Sequence, residues 1–596
     1  MNNIVKEKAK RIAAASGRIK PELVLKNAQI VNVFTEQLEQ ADVAIEDGYI
    51  VGIGTYSGQK EVDLSGKILC PGFMDGHIHV ESALVTPPEY EKAALVHGTT
   101  AIFADPHEIA NVSGTDGIDM MLEMSKHLTM HIYYNLPSCV PSAPLEESGC
   151  TLGAGELKPY YDNASASGLA EVMNVPGVLG CDEDLLAKIA DAQEAGKNVD
   201  GHAPGLTGND LCAYVSAGVK TDHECTSAEE AMEKVRRGQW IMIREGTAAR
   251  NLETLLPLCE APYYTRCMFV TDDCYPEYLM QEGHIDAVIR KAVAYGVPAI
   301  RALKMASFNP AQCFGLSGYG AVAPGFKADL VVLNDLKDLR VEQVYVNGKL
   351  AAEGGKLCGK AAEASGDGRK LQAGTADLEE KYGNILNSFH MSPVTASQFE
   401  MKDLKKYIRV ICLKSHELLT GEEIVEVTPE QRLSGGVDLS KDIIKAAVLE
   451  RHHDTGHIGV GYLKGYGLKR GAVATSVAHD SHNLIVAGVT DDDMAVAAER
   501  VRALNGGIVI AADGKVIGEL PLPIGGLMSD RSVEEVDGIL GALKESAAEL
   551  GVSQEIDPFM TLSFVSLPVI PQLRLNGLGL VDVIRFDTVD VTMDEI

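Results

Sequence analysis

The chain has 596 residues, of which 46% are apolar and 23% are charged, and its formal net charge at pH 7 is −31. This length exceeds what one hydrophobic core usually supports, so we expect two or three domains. So acidic a balance disfavours binding to nucleic acid or to anionic lipid. Scattered cysteines without a C-x-x-C pair predict reduced thiols, and no apolar run approaches the ~20 residues of a membrane helix. We therefore expect a soluble cytoplasmic protein with no nucleic-acid or membrane partner.

The N-terminal segment predicts a helix followed by short strands. Residues 1–20, MNNIVKEKAKRIAAASGRIK, are polar and basic without the apolar stretch of a secretory signal, and they predict an amphipathic helix. Residues 21–70 alternate apolar and polar positions between Asn, Asp and Gly, as short strands do. The same alternation of apolar and polar positions occurs in residues 318–355. We therefore predict one small β-sandwich domain, formed by residues 1–70 together with residues 316–360.

Residues 71–315 alternate strand-like and helix-like pieces. TTAIFADP precedes the helical GIDMMLEMSKH, and MFVTDDCYP precedes the helical IDAVIRKAVAYG. Such alternation is typical of parallel strands, and the segment is close to the ~250 residues of a (β/α)8 barrel. An open doubly wound sheet is the alternative, but no G-x-G-x-x-G motif opens the first unit. The prediction is an α/β fold with a TIM-like (β/α)8 barrel over this segment.

The rest of the chain predicts a third domain. The polar residues 360–384 are typical of a connector. Residues 385–596 mix strands and helices, which predicts a C-terminal α+β domain. The glycines between residues 459 and 471 match neither the dinucleotide nor the phosphate-loop spacing, and we interpret them as turns.

Polar side chains end successive strand-like pieces of the predicted barrel. The catalytic groups of such a barrel lie where its strands end, on the C-terminal face. One histidine there is usually structural. Several imidazoles and carboxylates at the same end would be costly to bury together unless a cation held them. The residues at these strand ends are His77, His79, Asp105, His107, Glu171, His202, His223, Asp272 and Asp273.

Four imidazoles and two carboxylates suit a pair of divalent metal ions. Manganese, iron and zinc all accept such ligands. Two ions ~3.5–4 Å apart need a bridging anionic group, and Glu171 is placed to be that bridge. Water between two such ions deprotonates readily, so the predicted chemistry is hydrolytic attack at an electrophilic carbon.

The motifs resemble the amidohydrolase superfamily and, within it, the bacterial adenine deaminases. PGFMDGHIH in front of the barrel and APGFKADLVVL behind it resemble the superfamily. The resemblance to the deaminases covers nearly the whole chain and is carried by HGTTAIFADPHEIANV, DGHAPGL, TDHE, IREGTAARNL and LERHHDTGHIGVGYLKGYGLKRG. It implies hydrolytic deamination of adenine to hypoxanthine and ammonia, in purine salvage or catabolism, with two divalent ions per chain and manganese as first choice. Because an appended domain often serves contacts between subunits, we expect a homodimer.

The resemblance also implies a role for each strand-end residue. His77 and His79 would hold the first metal, and His202 and His223 the second. The catalytic residues would be Glu171, Asp272 and Asp273. Glu171 would bridge the ions, and Asp272 would ligate the first metal and take the proton of the attacking hydroxide. Asp273 would lie near the substrate, although which of the two aspartates is the ligand stays open.

Five further side chains are predicted near the substrate. His107 and Glu108 would bind the purine or an additional ion, with hydrogen-bonded loop residues as the alternative. Glu81 completes an H-x-E motif, but the P-C-x-x-C of the cytidine-deaminase type is absent, so Glu81 would orient a ligand histidine or approach the substrate. His479 and His482 in AHDSHN would close over the barrel mouth and touch the substrate, or form a structural network.

Two other functions stay open at this point. A cyclic amide hydrolase of the dihydroorotase or hydantoinase type shares the metal chemistry, but a lysine at the fourth strand would favour it, and this chain has Glu171 there. A non-catalytic metal-binding relative is the second alternative. Such relatives usually lose one or more metal ligands, whereas this chain keeps all six.

Overall fold

The computed structural model describes residues 3–247, 249–366, 381–414 and 418–595, and most of the predicted connector, residues 367–380, lies outside them. The chain begins with helix α1 (Asn3–Ala15), as the sequence predicts, and Ala14 of this helix packs with Val24 and Ala44 of the strands that follow. These strands are β1 (Leu23–Asn32), β2 (Gln37–Glu46), β3 (Tyr49–Gly54), β4 (Lys60–Asp63) and β5 (Ile68–Pro71).

Eight parallel strands form the middle of the chain and confirm the predicted barrel. Between the fifth and sixth strands the ladder is replaced by single bonds, such as the one from the Gly201 N–H to Thr221 Oγ1 at 3.0 Å. The strands are β6 (Phe73–His79), β7 (Thr99–Ala104), β8 (His131–Leu136), β9 (Ala166–Val172), β10 (Asn198–Gly201), β11 (Thr221–Asp222), β12 (Trp240–Arg244) and β13 (Cys267–Val270), which continues after Thr271 as β14 (Asp272–Asp273).

Helices lie between the strands and cover the outside of the barrel. Polar residues begin several of them, as Asp182 does by accepting a hydrogen bond from the backbone N–H of Leu185. The helices are α2 (Pro87–Leu95), α3 (His107–Ser125), α4 (Ala154–Leu157), α5 (Val175–Leu179), α6 (Glu183–Glu194), α7 (Gly208–Ala217), α8 (Ala228–Arg236), α9 (Leu252–Leu255), α10 (Pro276–Gln281), α11 (Ile285–Ala294), α12 (Ala299–Met305) and α13 (Phe308–Cys313).

The barrel closes where β14 pairs with β6. Asp272 lies opposite Ile78, and Asp273 lies opposite His79. Asp272 has a φ of 59°, in the left-handed region that aspartate tolerates better than most residues, and this turn separates β14 from β13. The closure therefore brings the carboxylates of the last strand beside the imidazoles of the first.

The chain then returns to the N-terminal sheet through β15 (Leu330–Leu333), β16 (Val341–Val346), β17 (Lys349–Glu353) and β18 (Lys356–Leu357), followed by α14 (Gly359–Gly366). Strands from both flanking segments join one nine-stranded sheet, in the order β18-β17-β16-β15-β5-β1-β2-β3 with β4 beside β1. Leu25 and Ile45 of the first segment share one core with Leu330 of the second.

The C-terminal segment is built on a second nine-stranded sheet, in the order β20-β19-β22-β21-β24-β23-β25-β26 with β30 beside β19. Gly459 and Gly461 lie inside β22, so the interpretation of these two glycines as turns is wrong. Because glycine has no side chain, the Asn576 carbonyl oxygen and the Leu575 side chain can pack against that strand. The elements are β19 (Tyr407–Cys412), β20 (Gly421–Glu426), α15 (Pro429–Leu433), β21 (Ile443–Leu449), β22 (Ile458–Lys464), β23 (Ala472–Thr475), β24 (Leu484–Gly488), α16 (Asp491–Ala503), β25 (Gly507–Ala512), β26 (Lys515–Pro521), α17 (Val533–Glu549), α18 (Pro558–Ser563), β27 (Leu573–Asn576), β28 (Gly579–Asp582), β29 (Asp587–Val589) and β30 (Thr592–Met593).

The C-terminal segment packs directly on the barrel. Buried side chains of both, including Ile109 of the barrel and Leu522 of the C-terminal segment, belong to one hydrophobic core. The backbone N–H of Ser529 donates to the carbonyl oxygen of Leu84 at 2.8 Å. Within the described part of the chain, no helix has the length and apolar character that crossing a bilayer requires.

A buried lysine forms ion pairs behind the sixth strand of the barrel, and substituting it tests how much these pairs stabilise the fold. Lys234 Nζ, fully buried on α8, donates to the Ala203 carbonyl oxygen at 2.6 Å, to Asp222 at 3.1 Å and to Glu230 at 2.7 Å. Because Lys234→Met leaves two buried carboxylates unpaired, we expect it to lower the free energy of unfolding in urea by about 3–5 kcal/mol. The exposed Lys158, paired with Asp191, is the control. Lys158→Met should cost at most about 1 kcal/mol, and equal losses would contradict the assignment.

Candidate metal centre

The strand ends bring the six predicted metal ligands into one buried group, called here the ligand cluster: His77, His79, Glu171, His202, His223 and Asp272. In its first half, Asp272 Oδ1 lies 3.3 Å from His77 Nε2 and 3.1 Å from His79 Nε2. These contacts follow from the pairing of β14 with β6 described above.

Glu171 lies between the two halves of the ligand cluster. Its Oε1 lies 3.4 Å from His79 Nε2. Its Oε2 lies 2.7 Å from His202 Nδ1 and 3.2 Å from His223 Nε2. The two oxygens of one carboxylate thus face different histidines, which is the arrangement expected of a bridging ligand.

Contacts outside the ligand cluster orient two of its histidines. His79 donates from Nδ1 to the carbonyl oxygen of Asp105 at 3.1 Å, so the lone pair of the neutral ring is on Nε2, toward Glu171 and Asp272. His77 Nδ1 lies 3.6 Å from a carboxylate oxygen of Asp200. Both rings therefore present Nε2 to the centre of the cluster.

Two residues that the sequence analysis missed, Glu224 and Arg244, also contact the ligand cluster. Glu224 Oε1 lies 3.4 Å from His223 Nε2, and Arg244 donates from Nη1 to this oxygen at 2.5 Å and also to Asp272. Arg244 ends the seventh barrel strand, and Glu224 directly follows a predicted ligand, so the strand-end rule contained a signal for both. Burial would raise the pKa of Asp272, but Arg244 and the histidines hold it well below its usual value.

The buried side chains around the ligand cluster carry an excess of negative charge that cations could balance. Buried carboxylates outnumber the single guanidinium of Arg244, and several buried ring and carboxylate atoms have no hydrogen-bond partner among the described residues. The unpartnered atoms include His77 Nε2, His202 Nε2, His223 Nδ1 and Asp105 Oδ2. Divalent ions would compensate this charge, so the residues fit a metal centre. Several residue groups have ligand atoms within 4.8 Å of one another, among them His77, His79 and Asp272; His77, Glu171 and His223; His202, His223 and Glu224; and His79, Asp105, His107 and Glu171.

The other predicted site residues lie around the ligand cluster. His107 Nδ1 lies 3.1 Å from Asp105 Oδ2, and its Nε2 lies 3.6 Å from Asp480 Oδ1 of the C-terminal segment. His479 stacks on the Phe564 ring at a centroid distance of 4.3 Å. Glu81 accepts a hydrogen bond from the backbone N–H of Ile109 at 3.3 Å, near the start of α3.

A cavity lies over the ligand cluster, between the barrel and the C-terminal segment. Asp273, His107 and His479 line it together with residues of the cluster, whereas Glu81, Glu108 and His482 do not. The apolar part of its wall is formed by Met173, Leu418, Phe564, Leu567 and Ile570. A small planar molecule in this cavity would contact polar groups below it and apolar side chains above.

Comparison with known proteins agrees with this architecture. Residues 68–351 match the amidohydrolase family, and residues 417–587 match the adenine deaminase C-terminal domain. Adenine deaminase 2 of Carboxydothermus hydrogenoformans is 45% identical and covers 98% of this chain and 99% of its own. The chain belongs to the adenine deaminase family. The amidohydrolase family is metal-dependent, and this chain has a buried cluster of histidine, aspartate and glutamate side chains that could hold metal.

Two further similarities complete the comparison. The adenine deaminase of Oceanobacillus iheyensis is 42% identical over 100% of both chains. Among solved structures, the beta-aspartyl dipeptidase of Fervidobacterium islandicum AW-1 has a TM-score of 0.45 and 15% identity, covering 56% of this chain and 98% of its own.

Metal binding should stabilise this protein measurably. A ligand that binds only the folded state adds about 2.7 kcal/mol at 100 times its Kd. We therefore expect Mn²⁺ to raise the thermal midpoint of chelator-treated protein. His77→Ala should lose most of this rise and lower the metal content. Full metal content in that variant would remove His77 from the site.

Proposed function

We propose that this chain catalyses the hydrolytic deamination of adenine to hypoxanthine and ammonia, with two divalent ions bound per chain. One observation carries the proposal: Glu171 faces His79 with Oε1 and both His202 and His223 with Oε2. A carboxylate placed between two ligand sets is what a pair of ions requires. The full-length relatives named adenine deaminase support adenine as the substrate.

The chain's own residues hold the reacting groups and move the proton. When bound, the ions supply Lewis-acid activation of the water that attacks C6 of the purine. Asp272 directs Oδ1 toward His77 and His79 and its other oxygen toward Arg244, so it is ionised and in place to accept a proton from that water. It then gives the proton to the departing amine nitrogen, a general acid–base role of ~10²–10⁴-fold.

The cavity positions the purine between polar and apolar groups. Asp273, His107 and His479 line it and are placed to hydrogen-bond ring nitrogens. Phe564 and Leu567 close it from the C-terminal segment and exclude water, which strengthens every electrostatic interaction inside. Glu108 stands one contact further out, joined to Asp273 through Ser82.

We also propose a metal, an assembly state and a cellular setting for this enzyme. Manganese is the proposed metal, with iron or zinc as alternatives, because imidazole and carboxylate ligands accept all three. We also propose a cytoplasmic homodimer that serves purine salvage or catabolism. The proposed units are residues 1–70 with 316–360, residues 71–315 and residues 385–596.

The activity itself is tested with manganese-loaded enzyme. We expect the ultraviolet spectrum of adenine to change to that of hypoxanthine, with one ammonia released per purine converted. A cyclic amide such as dihydroorotate is the comparison substrate and should remain intact. Hydrolysis of the cyclic amide with no change in adenine would replace the deaminase assignment by the alternative one.

The bridging role of Glu171 has a separate test. Glu171→Gln keeps the shape of the side chain but removes the charge that both halves of the ligand cluster share, so we expect both ions to be lost together and activity with them. The measurement is metal content per chain at graded concentrations of a chelator. Glu91→Gln is the control, because Glu91 is also buried but, among the residues that the structure describes, accepts hydrogen bonds only from the backbone at Thr129 and Met130. Loss of a single ion from Glu171→Gln would argue against a bridge.

A further inference from the structure

A cleft of about 710 Å³ lies between the barrel and the C-terminal segment, and it is called here the outer cleft. Arg250 and Glu253 of the barrel and Gln554 of the C-terminal segment line it and are exposed, so the outer cleft is open to solvent. Glu245 follows the barrel strand β12, Glu277 follows β14, and both also line the cleft. The outer cleft therefore lies at the end of the barrel that carries the ligand cluster.

A second space, called here the middle cavity, separates the outer cleft from the cavity over the ligand cluster. Its volume is about 60 Å³, which is enough for water molecules. Thr247 and Asp557 line both the middle cavity and the outer cleft. Leu418 and Phe564 line both the middle cavity and the cavity over the ligand cluster. The three spaces therefore adjoin one another in order, from solvent to the ligand cluster.

Leu418 and Phe564 form the partition between the two inner spaces. The Phe564 ring stacks on His479, which lines the cavity over the ligand cluster, at a centroid distance of 4.3 Å. Neither a leucine nor a phenylalanine side chain has a hydrogen-bonding group. Rotation of these two side chains can therefore open the partition without breaking a hydrogen bond.

One buried guanidinium holds the backbone on both sides of the partition. Arg574 lines the middle cavity, and it donates to the carbonyl oxygen of Leu418 from Nη2 at 2.6 Å and to that of Phe564 from Nη1 at 2.7 Å. Hydrogen bonds from a charged donor are stronger than those between neutral groups. The two pieces of backbone are thus held together, and the side chains between them are the parts that can move.

The charges along the outer cleft suit an uncharged solute or a cation. Six carboxylates and three basic side chains line this cleft, so its field is negative. An uncharged purine base can enter it, whereas the phosphate group of a nucleotide would be repelled and a divalent cation attracted. The hydroxyl-bearing Thr247, Thr420 and Thr561 then line the middle cavity beside apolar side chains such as Met560. Such walls suit a heterocycle with both polar and apolar parts.

We propose that the outer cleft, the middle cavity and the cavity over the ligand cluster form the route by which adenine enters and its products leave, with the side chains of Leu418 and Phe564 as the gate. A purine is larger than the few water molecules that the middle cavity can hold, so the gate and the walls move as it passes. The inference rests on the proposed deaminase function and assigns the C-terminal segment a part in it, which is control of access to the ligand cluster.

Obstructing the middle cavity tests the route. Thr561 and Leu419 line the middle cavity but not the cavity over the ligand cluster, and Leu419 is 37% exposed, so a larger side chain there leaves the core intact. In Thr561→Trp and in Leu419→Trp, we expect kcat/KM for adenine to fall about 10-fold with metal content unchanged, because entry then requires an additional displacement. Thr561→Val keeps the size of the side chain and should retain the wild-type value.

Gln343→Trp is the matched control. Gln343 lines a different cleft, beside β16, and it lines none of the three spaces of the route. The same bulky substitution there should leave kcat/KM unchanged. The solvent deuterium isotope effect on kcat/KM is a second readout, since slower entry moves it toward unity and damaged proton transfer does not. A wild-type kcat/KM in both tryptophan variants of the middle cavity, a loss with a larger isotope effect, or an equal loss in the control would overturn the proposal.

Metal uptake tests the route without an activity measurement. A Mn²⁺ ion that moves from solvent to the ligand cluster would pass through the same three spaces. We therefore expect metal-free Thr561→Trp and Leu419→Trp to take up Mn²⁺ about 10-fold more slowly than the wild type, to the same final content, and Gln343→Trp to take it up at the wild-type rate. Wild-type uptake rates in both variants of the middle cavity would contradict the route. This measurement stands even if the enzyme does not convert adenine, so the two proposals fail separately.

Discussion

An excess of buried negative charge at the mouth of the barrel is the constraint on which the site depends. Glu171, Asp272 and Glu224 are buried at the mouth of the barrel with only Arg244 among them as a permanent cation. Carboxylates without compensation in such a place would take up protons or destabilise the fold. The chain compensates part of the charge with Arg244 and with hydrogen bonds, and the remainder would favour the binding of divalent ions. Stability and metal affinity are thus two consequences of the same side chains.

The C-terminal segment contributes the opposite kind of buried charge. Arg574 is fully buried and donates to the carbonyl oxygens of Ile570, Phe564 and Leu418, which are residues of the cavity wall. Burial lowers the pKa of Arg574 to about 9, and its acceptors within the described residues are all carbonyl oxygens. One guanidinium thereby joins two separate pieces of backbone, residue 418 and residues 564–571, over the ligand cluster. The segment that closes the cavity is held by a polar core of its own.

The strand ends of the barrel could be predicted from the sequence because the rule behind them is simple. Parallel strands that alternate with helices place their carboxyl ends on one face, so His77, Glu171 and His223 could be grouped without knowing any helix position. Arg244 was missed although it obeys the same rule, because a cation did not fit the idea of a metal ligand set. The pairing of strands from both flanking segments in one sheet was anticipated in outline, but its strand order depends on contacts between residues far apart in the chain, such as Val331 with Cys70.

Contacts across the interface could not be predicted in this way. Ser82 sits three residues after a metal-ligand motif, and nothing in its sequence setting indicates that its hydroxyl would lie between Glu108 and Asp273. The glycines of β22 were misjudged for a related reason: the need for a residue without a side chain came from Asn576, more than a hundred residues away. Local pattern identifies the elements, whereas the packing of distant elements decides what a small or polar residue does.

Two histidines show how the backbone selects the chemistry of a side chain. His79 donates from Nδ1 to the Asp105 carbonyl oxygen, and this leaves Nε2 as the lone-pair atom toward the ligand cluster. His482 accepts at Nδ1 from the Ala478 N–H, and this makes Nε2 a donor instead. A carbonyl group behind one ring and an amide behind the other give identical side chains opposite functions. The first ring can offer the Nε2 lone pair to a cation, whereas the second directs an Nε2 hydrogen at an acceptor.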